Sequence, residues 1–180
     1  MSHRKLKLTE LNRQSVEEYK KSEKIPLVIV LDNIRSHHNV GSIFRTADAF
    51  KIEKIILCGF TPVPPHREIH KTALGATDSV AWEYAETALA TVYSLKENGY
   101  SVYAVEQAEN SIELNEFLTE KNKKTAIVFG HEVNGVEQEV IDACDGVIEI
   151  PQFGTKHSLN ISVCAGIVMW ELFCRLVNEE

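Results

Sequence analysis

No stretch of the 180-residue sequence approaches the roughly 20 consecutive apolar residues that span a bilayer. The positively charged start, MSHRKLKLTELNRQ, has no apolar segment behind it and does not read as a secretory signal. No membrane partner is therefore expected. Cysteine is scarce: the four residues, at 58, 144, 164 and 174, show no C-x-x-C spacing, and all but Cys144 sit in apolar runs. That pattern predicts reduced core thiols in a cytoplasmic protein. Phosphate cradles are missing as well. There is no G-x-G-x-x-G after the first apolar run and no G-x-x-x-x-G-K-[ST], which argues against a dinucleotide enzyme and a P-loop NTPase. The G-x-S-x-G elbow of many hydrolases is also absent. His66 and His70 stand four apart but lack a third ligand with a reason to converge, so no metal is expected. Positive charge is in deficit, with 19 Lys and Arg against 26 Asp and Glu, a net charge of −7 and a pI near 5.5. This argues against a large electrostatic footprint on nucleic acid. Basic residues nevertheless gather in HRKLK near the start, at 20–24, and in HREIHK at 66–71.

What the sequence does have is an ordinary globular composition, 44% hydrophobic and 25% charged, and length for one domain. Residues 9–24 read as an exposed helix, and residues 1–24 as an N-terminal helical extension to the domain at 25–180. IPLVIVLD, KIILCG, YSVYAVE, TAIVFG and GVIEI read as five short buried strands. Helices are expected from about Gly41 to Phe50, over EYAETALATVYSLKENGY with Gly99 at its end, over GVEQEVIDAC, and over the long apolar run from Ser158 to the C-terminus. EIHKTALGA reads as one or two helical turns, and FTPVPPHRE, with three of the five prolines, as a loop. Strands alternating with helices predict an α/β fold with a mostly parallel sheet flanked by helices.

In such sheets ligands gather at the carboxyl ends of the strands. Three of these ends combine glycine, polar side chains and a helix start: NIRSHHNVGSIFR, HEVNG and PQFGTKHSLN. The ends before FTPVPP and QAENS are less distinctive. Ser158 or Asn160 is placed to cap the last helix, to face a ligand beside Gly154, or both. Glu132 lies between Gly130 and Gly135, which suggests backbone that comes close to something. Arg45 lies in an otherwise apolar helix, where pairing with Asp48 is the plain structural explanation.

Together these loops resemble the three motifs of the SpoU family of RNA ribose 2′-O-methyltransferases, in the SPOUT superfamily. They are NVGSIFRTADAF, with Asn39 and Arg45; IVFGHEVNGV, with Gly130, Glu132 and Gly135; and IEIPQFGTKHSLNISVCAGI, with Ile150, Pro151, Gly154, Ser158, Leu159 and Asn160. KTALGA is similar to the stretch between the first two motifs, and the likeness covers roughly residues 25–178. It implies a C-terminal trefoil knot, S-adenosyl-L-methionine as cofactor, a tRNA or rRNA substrate, and a homodimer whose interface uses the last helix. It departs from the family pattern at Gln152, where Met is frequent. It also departs in the 24 residues before the domain, where many members carry an RNA-binding domain; RNA is then expected to be gripped by the domain, the N-terminal segment and the dimer partner.

The implied catalytic set is Arg45, Asn39, Glu132, Ser158 and Asn160. Phe129, Gly130, Ile150, Pro151 and Leu159 are the implied cofactor-binding set. The resemblance assigns Arg45 as the base toward the ribose hydroxyl. A guanidinium stays protonated far above neutral pH, so stabilising the developing alkoxide or gripping a phosphate is an open alternative. Two other classes stay in view: a non-catalytic RNA-binding protein that keeps the knotted fold, and a small-molecule enzyme on an α/β fold.

Overall fold

The computed structural model describes residues 3–177; residues 1–2 and 178–180, the ends of the segments read above as extension and last helix, lie outside it. The strands are β1 (Ile25–Asp32), β2 (Ile52–Cys58), β3 (Ala81–Ala85), β4 (Ser101–Val105), β5 (Ile112–Glu113), β6 (Thr125–Phe129) and β7 (Gly146–Glu149). The helices are α1 (Val16–Lys21), α2 (His37–Ala49), α3 (Arg67–Ala73), α4 (Ala76–Ser79), α5 (Ala88–Glu97), α6 (Gln138–Ala143) and α7 (Ile161–Val177). All strand pairs are parallel, in the order β3-β2-β1-β6-β4-β7-β5.

Helices cover both faces of the sheet, so the central strands are apolar along their whole length. Leu27, Ile29 and Leu31 of β1 join one core with α2 and α7, while Val28 and Val30 join a second with α5 and α6. Each such side chain, fully buried, stabilises by roughly 1.5–3 kcal/mol relative to exposure. Gly41 lets α3 close on α2, since a Cβ there would lie 2.3 Å from the Ile69 carbonyl oxygen.

Several elements differ from the sequence reading. Residues 83–85, expected as the start of a helix, belong instead to β3, an edge strand on β2, and α5 begins only at Ala88, capped by the Thr87 side chain. β5 is two residues long and exposed, too short to show as an apolar run. Residues 9–24 do not form one helix: a single 3-10 turn at Leu8–Glu10 precedes α1, which a Ser15–Glu18 capping box starts and whose Tyr19 is buried in the core. Gly99 does follow α5 in the left-handed conformation, at φ +83°. The four cysteines are free thiols, but only Cys58 is fully buried; the other three are half-buried.

The path of the chain at the sheet's far edge positions the site. After β4 it crosses to β5, returns to the centre as β6, and β7 then enters between β4 and β5. The crossing segment touches α7: Asn122 N–H donates to the Leu176 carbonyl (3.4 Å) and Arg175 donates to the Asn115 carbonyl (2.9 Å). α7 in turn packs on α2, where the Phe50 ring lies 5.6 Å from Trp170 and 5.4 Å from Phe173.

Candidate active site

The parallel register brings the C-terminal ends of β1, β6 and β7 to one side of the sheet, and the three glycine-containing loops with them. The first loop becomes helix earlier than its apolar pattern indicates. Ser36 is the N-cap of α2, its hydroxyl accepting the Asn39 N–H (3.2 Å), so the helix starts at His37 rather than Gly41. Asn39 therefore sits in the first turn, and Arg45 in the third rather than the second.

Asn39 is the joint between all three motifs. Its amide donates to Glu132 Oε1 (3.3 Å), and its oxygen accepts from the Asn160 amide (3.3 Å). Glu132 also accepts the N–H groups of Arg35 (2.9 Å) and Ser36 (3.1 Å). Asn160 is at the same time the cap of α7, its Oδ1 accepting the Ser162 N–H (2.9 Å) and hydroxyl (2.7 Å). Ser158 makes no such cap, so the capping role falls to Asn160 alone of the two.

Burial opposes ionisation of Glu132, but the N–H of Arg35, its own N–H, that of Ser36 and the Asn39 amide outweigh it. The net pKa lies below the usual glutamate value of 4.5. Between that value and its lower folded one, the unfolded chain binds more protons, so Glu132 contributes stability above the window that is lost as pH falls through it. Urea unfolding across acidic pH is expected to show a shallower decline for Glu132→Gln than for the parent; equal slopes would refute this role.

The two glycines around Glu132 are explained within their own loop. His131 and Gly135 form an antiparallel bridge, and a Cβ on Gly130 would lie 2.2 Å from the Gly135 carbonyl oxygen. Gly135, at φ +71°, leaves room for Glu106, whose carboxylate accepts the N–H groups of Val136 (3.1 Å) and Gln107 (2.8 Å). The close approach is thus between loop backbones and a carboxylate. Gly154 meets nothing within 4 Å of a built Cβ.

Beside these loops opens a cavity of about 980 Å³. Phe129, Gly130, Glu132, Ile150, Ser158, Leu159 and Asn160 line it, and Pro151 adjoins it without lining it. Arg45 does not line it. Its side chain is exposed on α2 and has no hydrogen-bond or ion-pair partner among the described residues. The Asp48 pairing does not form, because Asp48 accepts the Ser79 hydroxyl instead.

The end of β4, passed over in the sequence, is part of the wall. Glu106, Gln107 and Glu109 line the cavity, and the Gln107 amide donates to the His157 carbonyl (2.8 Å), tying this loop to the third motif. QAENS carries no glycine and no helix start, so only its place after a strand pointed to it. The lining holds five carboxylates, at Glu106, Glu109, Glu132, Asp142 and Glu149, and no lysine or arginine. Cys164 also lines it, with burial pushing its thiol up to about 11, so it is un-ionised and a poor nucleophile at neutral pH. Among the described residues no cluster of three or more His, Cys, Asp or Glu is arranged to hold a metal ion, and no helix is long and apolar enough to cross a membrane.

A seven-stranded parallel sheet flanked by helices on both faces matches the fold of the SpoU/TrmH methyltransferases. A TrmH/SpoU tRNA modifying enzyme of A. aeolicus superposes with a TM-score of 0.76 at 24% identity, over 92% of this chain and 87% of that one. An AdoMet-bound rRNA methyltransferase of Sinorhizobium meliloti gives 0.78 at 27% identity, over 93% and 62%. In sequence, a protein of Staphylococcus saprophyticus named for the TrmH family of tRNA/rRNA methyltransferases is 34% identical over 158 residues. The chain spans 62% of the length of that relative, and 88% of its own residues are matched. The SpoU rRNA Methylase family model matches residues 26–170, and the chain belongs to that family.

Proposed function

We propose that this protein transfers a methyl group from S-adenosyl-L-methionine to a ribose 2′-hydroxyl of tRNA or rRNA. The observation that carries the reading is the hydrogen-bonded union of Asn39, Glu132 and Asn160 at the edge of a cavity lined by five carboxylates and by no lysine or arginine. Such a lining suits a ligand bearing sulfonium and ammonium charges and disfavours one bearing phosphates. Bound there, the cofactor supplies an electrophilic methyl carbon.

The chain's own residues do the rest. Phe129, Gly130, Ile150 and Leu159 hold the adenosine and methionine parts through apolar contact and loop backbone, and Pro151, outside the lining, fixes the path of the chain after Ile150. Glu132 and Asn39, fixed by each other and by the N–H groups of Arg35 and Ser36, present a rigid polar edge on which a ribose is oriented. Ser158 and Asn160 close the other side. Arg45 keeps its charge throughout and stabilises the oxyanion, while the proton leaves to a phosphate oxygen or water. AdoMet in the Sinorhizobium enzyme and RNA modification in both structural neighbours agree with this assignment.

The same reading includes a homodimer, since Val163, Ile167 and Trp170 are exposed along α7 beside the helix that carries Arg45. It includes the trefoil knot, which the entry of β7 inside the span of β4 and β5 favours, and a cytoplasmic location. The alternative, an RNA-binding protein without the reaction, draws on one observation: Arg45 does not line the cavity of the single chain. Calorimetry with S-adenosyl-L-methionine, followed by a labelled-methyl assay on bulk tRNA and rRNA with nucleoside digestion, separates the two. Cofactor binding and labelled 2′-O-methylnucleosides are expected; RNA binding without either would establish the alternative.

A further inference from the structure

Phe60 is an aromatic side chain that the fold holds out of its own core. It is 60% exposed, two residues past the buried end of β2. Hydrogen bonds hold its backbone on both sides. Gly59 at φ +61° and Asn33 at φ +56° form two interlocked turns, and the Asn33 side-chain oxygen accepts the Phe60 N–H (3.2 Å). The buried Thr61 hydroxyl donates to the Leu31 carbonyl (2.9 Å) and accepts the Ile34 N–H (3.0 Å), pinning the following residue to β1.

Two neighbours give this ring its setting. His131 meets it edge to face at 5.9 Å, and the His131 ring is itself held by the N–H groups of Val133 (3.0 Å) and Asn134 (3.1 Å) on Nδ1. His131 immediately precedes Glu132, so the ring stands just outside the cavity, across one residue from the Asn39–Glu132 pair. Arg35 is the second, a neighbour through the backbone alone: it stands two residues beyond Asn33, which holds the Phe60 N–H. Its backbone is tied to Glu132, but its exposed guanidinium has no partner among the described residues. An exposed aromatic ring on a hydrogen-bonded turn, with an unpaired arginine on the adjoining β1 loop, matches the chemistry of an unstacked nucleobase and its adjoining phosphate.

We infer that Phe60 is a stacking platform for an unpaired base of the RNA, with Arg35 on the neighbouring phosphate. The inference rests on the RNA reading above and narrows it: the methylated nucleotide, or one beside it, is presented out of a helix. Stacking uses the π face that every base has, so the platform selects for an unpaired nucleotide rather than for a particular base.

The test uses an unstructured nine-nucleotide RNA with one central 2-aminopurine, whose fluorescence is quenched by stacking. The full chain is expected to bind and quench it. Phe60→Ala is expected to weaken binding by roughly 5- to 150-fold and to remove the quench. Phe60→Trp should retain both, and Phe60→Leu should behave like alanine despite its hydrophobicity. Arg35→Ala should weaken binding and reduce the salt slope by about one unit. Thermal melts of each variant check that the fold persists. Unchanged affinity and quench in Phe60→Ala overturn the platform. Methyl transfer to bulk RNA, measured in parallel, separates the two readings. Wild-type transfer with an unaltered KM for RNA in Phe60→Ala sinks the platform alone. Phe60-dependent quenching without any transfer sinks the reaction and keeps the platform, and a wild-type protein that does neither sinks both.

Discussion

Arg45→Ala is expected to lower the rate of methyl transfer to RNA by about 10²–10³-fold, the usual effect of deleting one preorganised donor from a developing oxyanion. Affinity for S-adenosyl-L-methionine should be unchanged, because Arg45 does not line the cavity. Stability should hardly move either: the side chain is exposed and unpaired, and the Asp48 carboxylate near it in sequence is engaged by Ser79. Arg45→Lys keeps the charge and loses the planar fork, so an intermediate rate is expected. The pH profile discriminates between roles. A guanidinium acting as a fixed charge gives no titration of its own between pH 6 and 10. Single-turnover rates across pH and calorimetry on the same preparations check these statements, and an alanine variant with parental rate would remove Arg45 from the mechanism.

Gly130→Ala carries the second large effect, and it acts on the cofactor rather than on the hydroxyl. The added Cβ would lie 2.2 Å from the Gly135 carbonyl oxygen and 2.4 Å from the Val136 nitrogen. Both are backbone atoms, so a side-chain rotation cannot relieve the clash. The 131–135 turn must shift, which displaces Glu132 from the Arg35 and Ser36 N–H groups and opens the Val136–Glu106 contact. Loss of about 1–3 kcal/mol of stability is expected from the overpacking. Cofactor affinity should fall by well over tenfold, since the wall of the cavity moves with the turn. Gly154→Ala serves as the control, because open space surrounds that position. Chemical denaturation and calorimetry on the two variants read this directly; parental cofactor affinity in Gly130→Ala would show that the turn does not shape the cavity.

The parts of this fold that were legible in the sequence are those whose burial leaves an unambiguous pattern. β1, β2, β4, β6 and β7 are apolar because helices cover both faces of the sheet's centre, and each was readable as a strand. β3 and β5 lie at the edges, where exposure removes the apolar run; Glu83, Tyr84 and Ala85 read as part of a helix because α5 follows closely. The start of α2 was missed because His37, His38 and Asn39 look like turn residues, and the deciding signal was the Ser36 cap before them. For the site, glycine and polar side chains after a strand were enough to find the loops that meet at Asn39. Glu106 and Gln107 lacked that marking and entered through tertiary contact alone. Arg45 could be placed on its helix but not relative to the cavity, since helix position fixes a direction only once the neighbouring elements are known.

The bond between Asn39 and Asn160 joins two residues 121 positions apart. At about 5–20 residues per second of synthesis, the second partner emerges roughly 6–24 s after the first. A nascent polypeptide can pair β1 with β2 once residue 58 has emerged, yet it has no complete pocket until residue 160 follows. A polypeptide cut anywhere between β2 and residue 160 therefore lacks the third wall of the cavity, however well its first strands have paired.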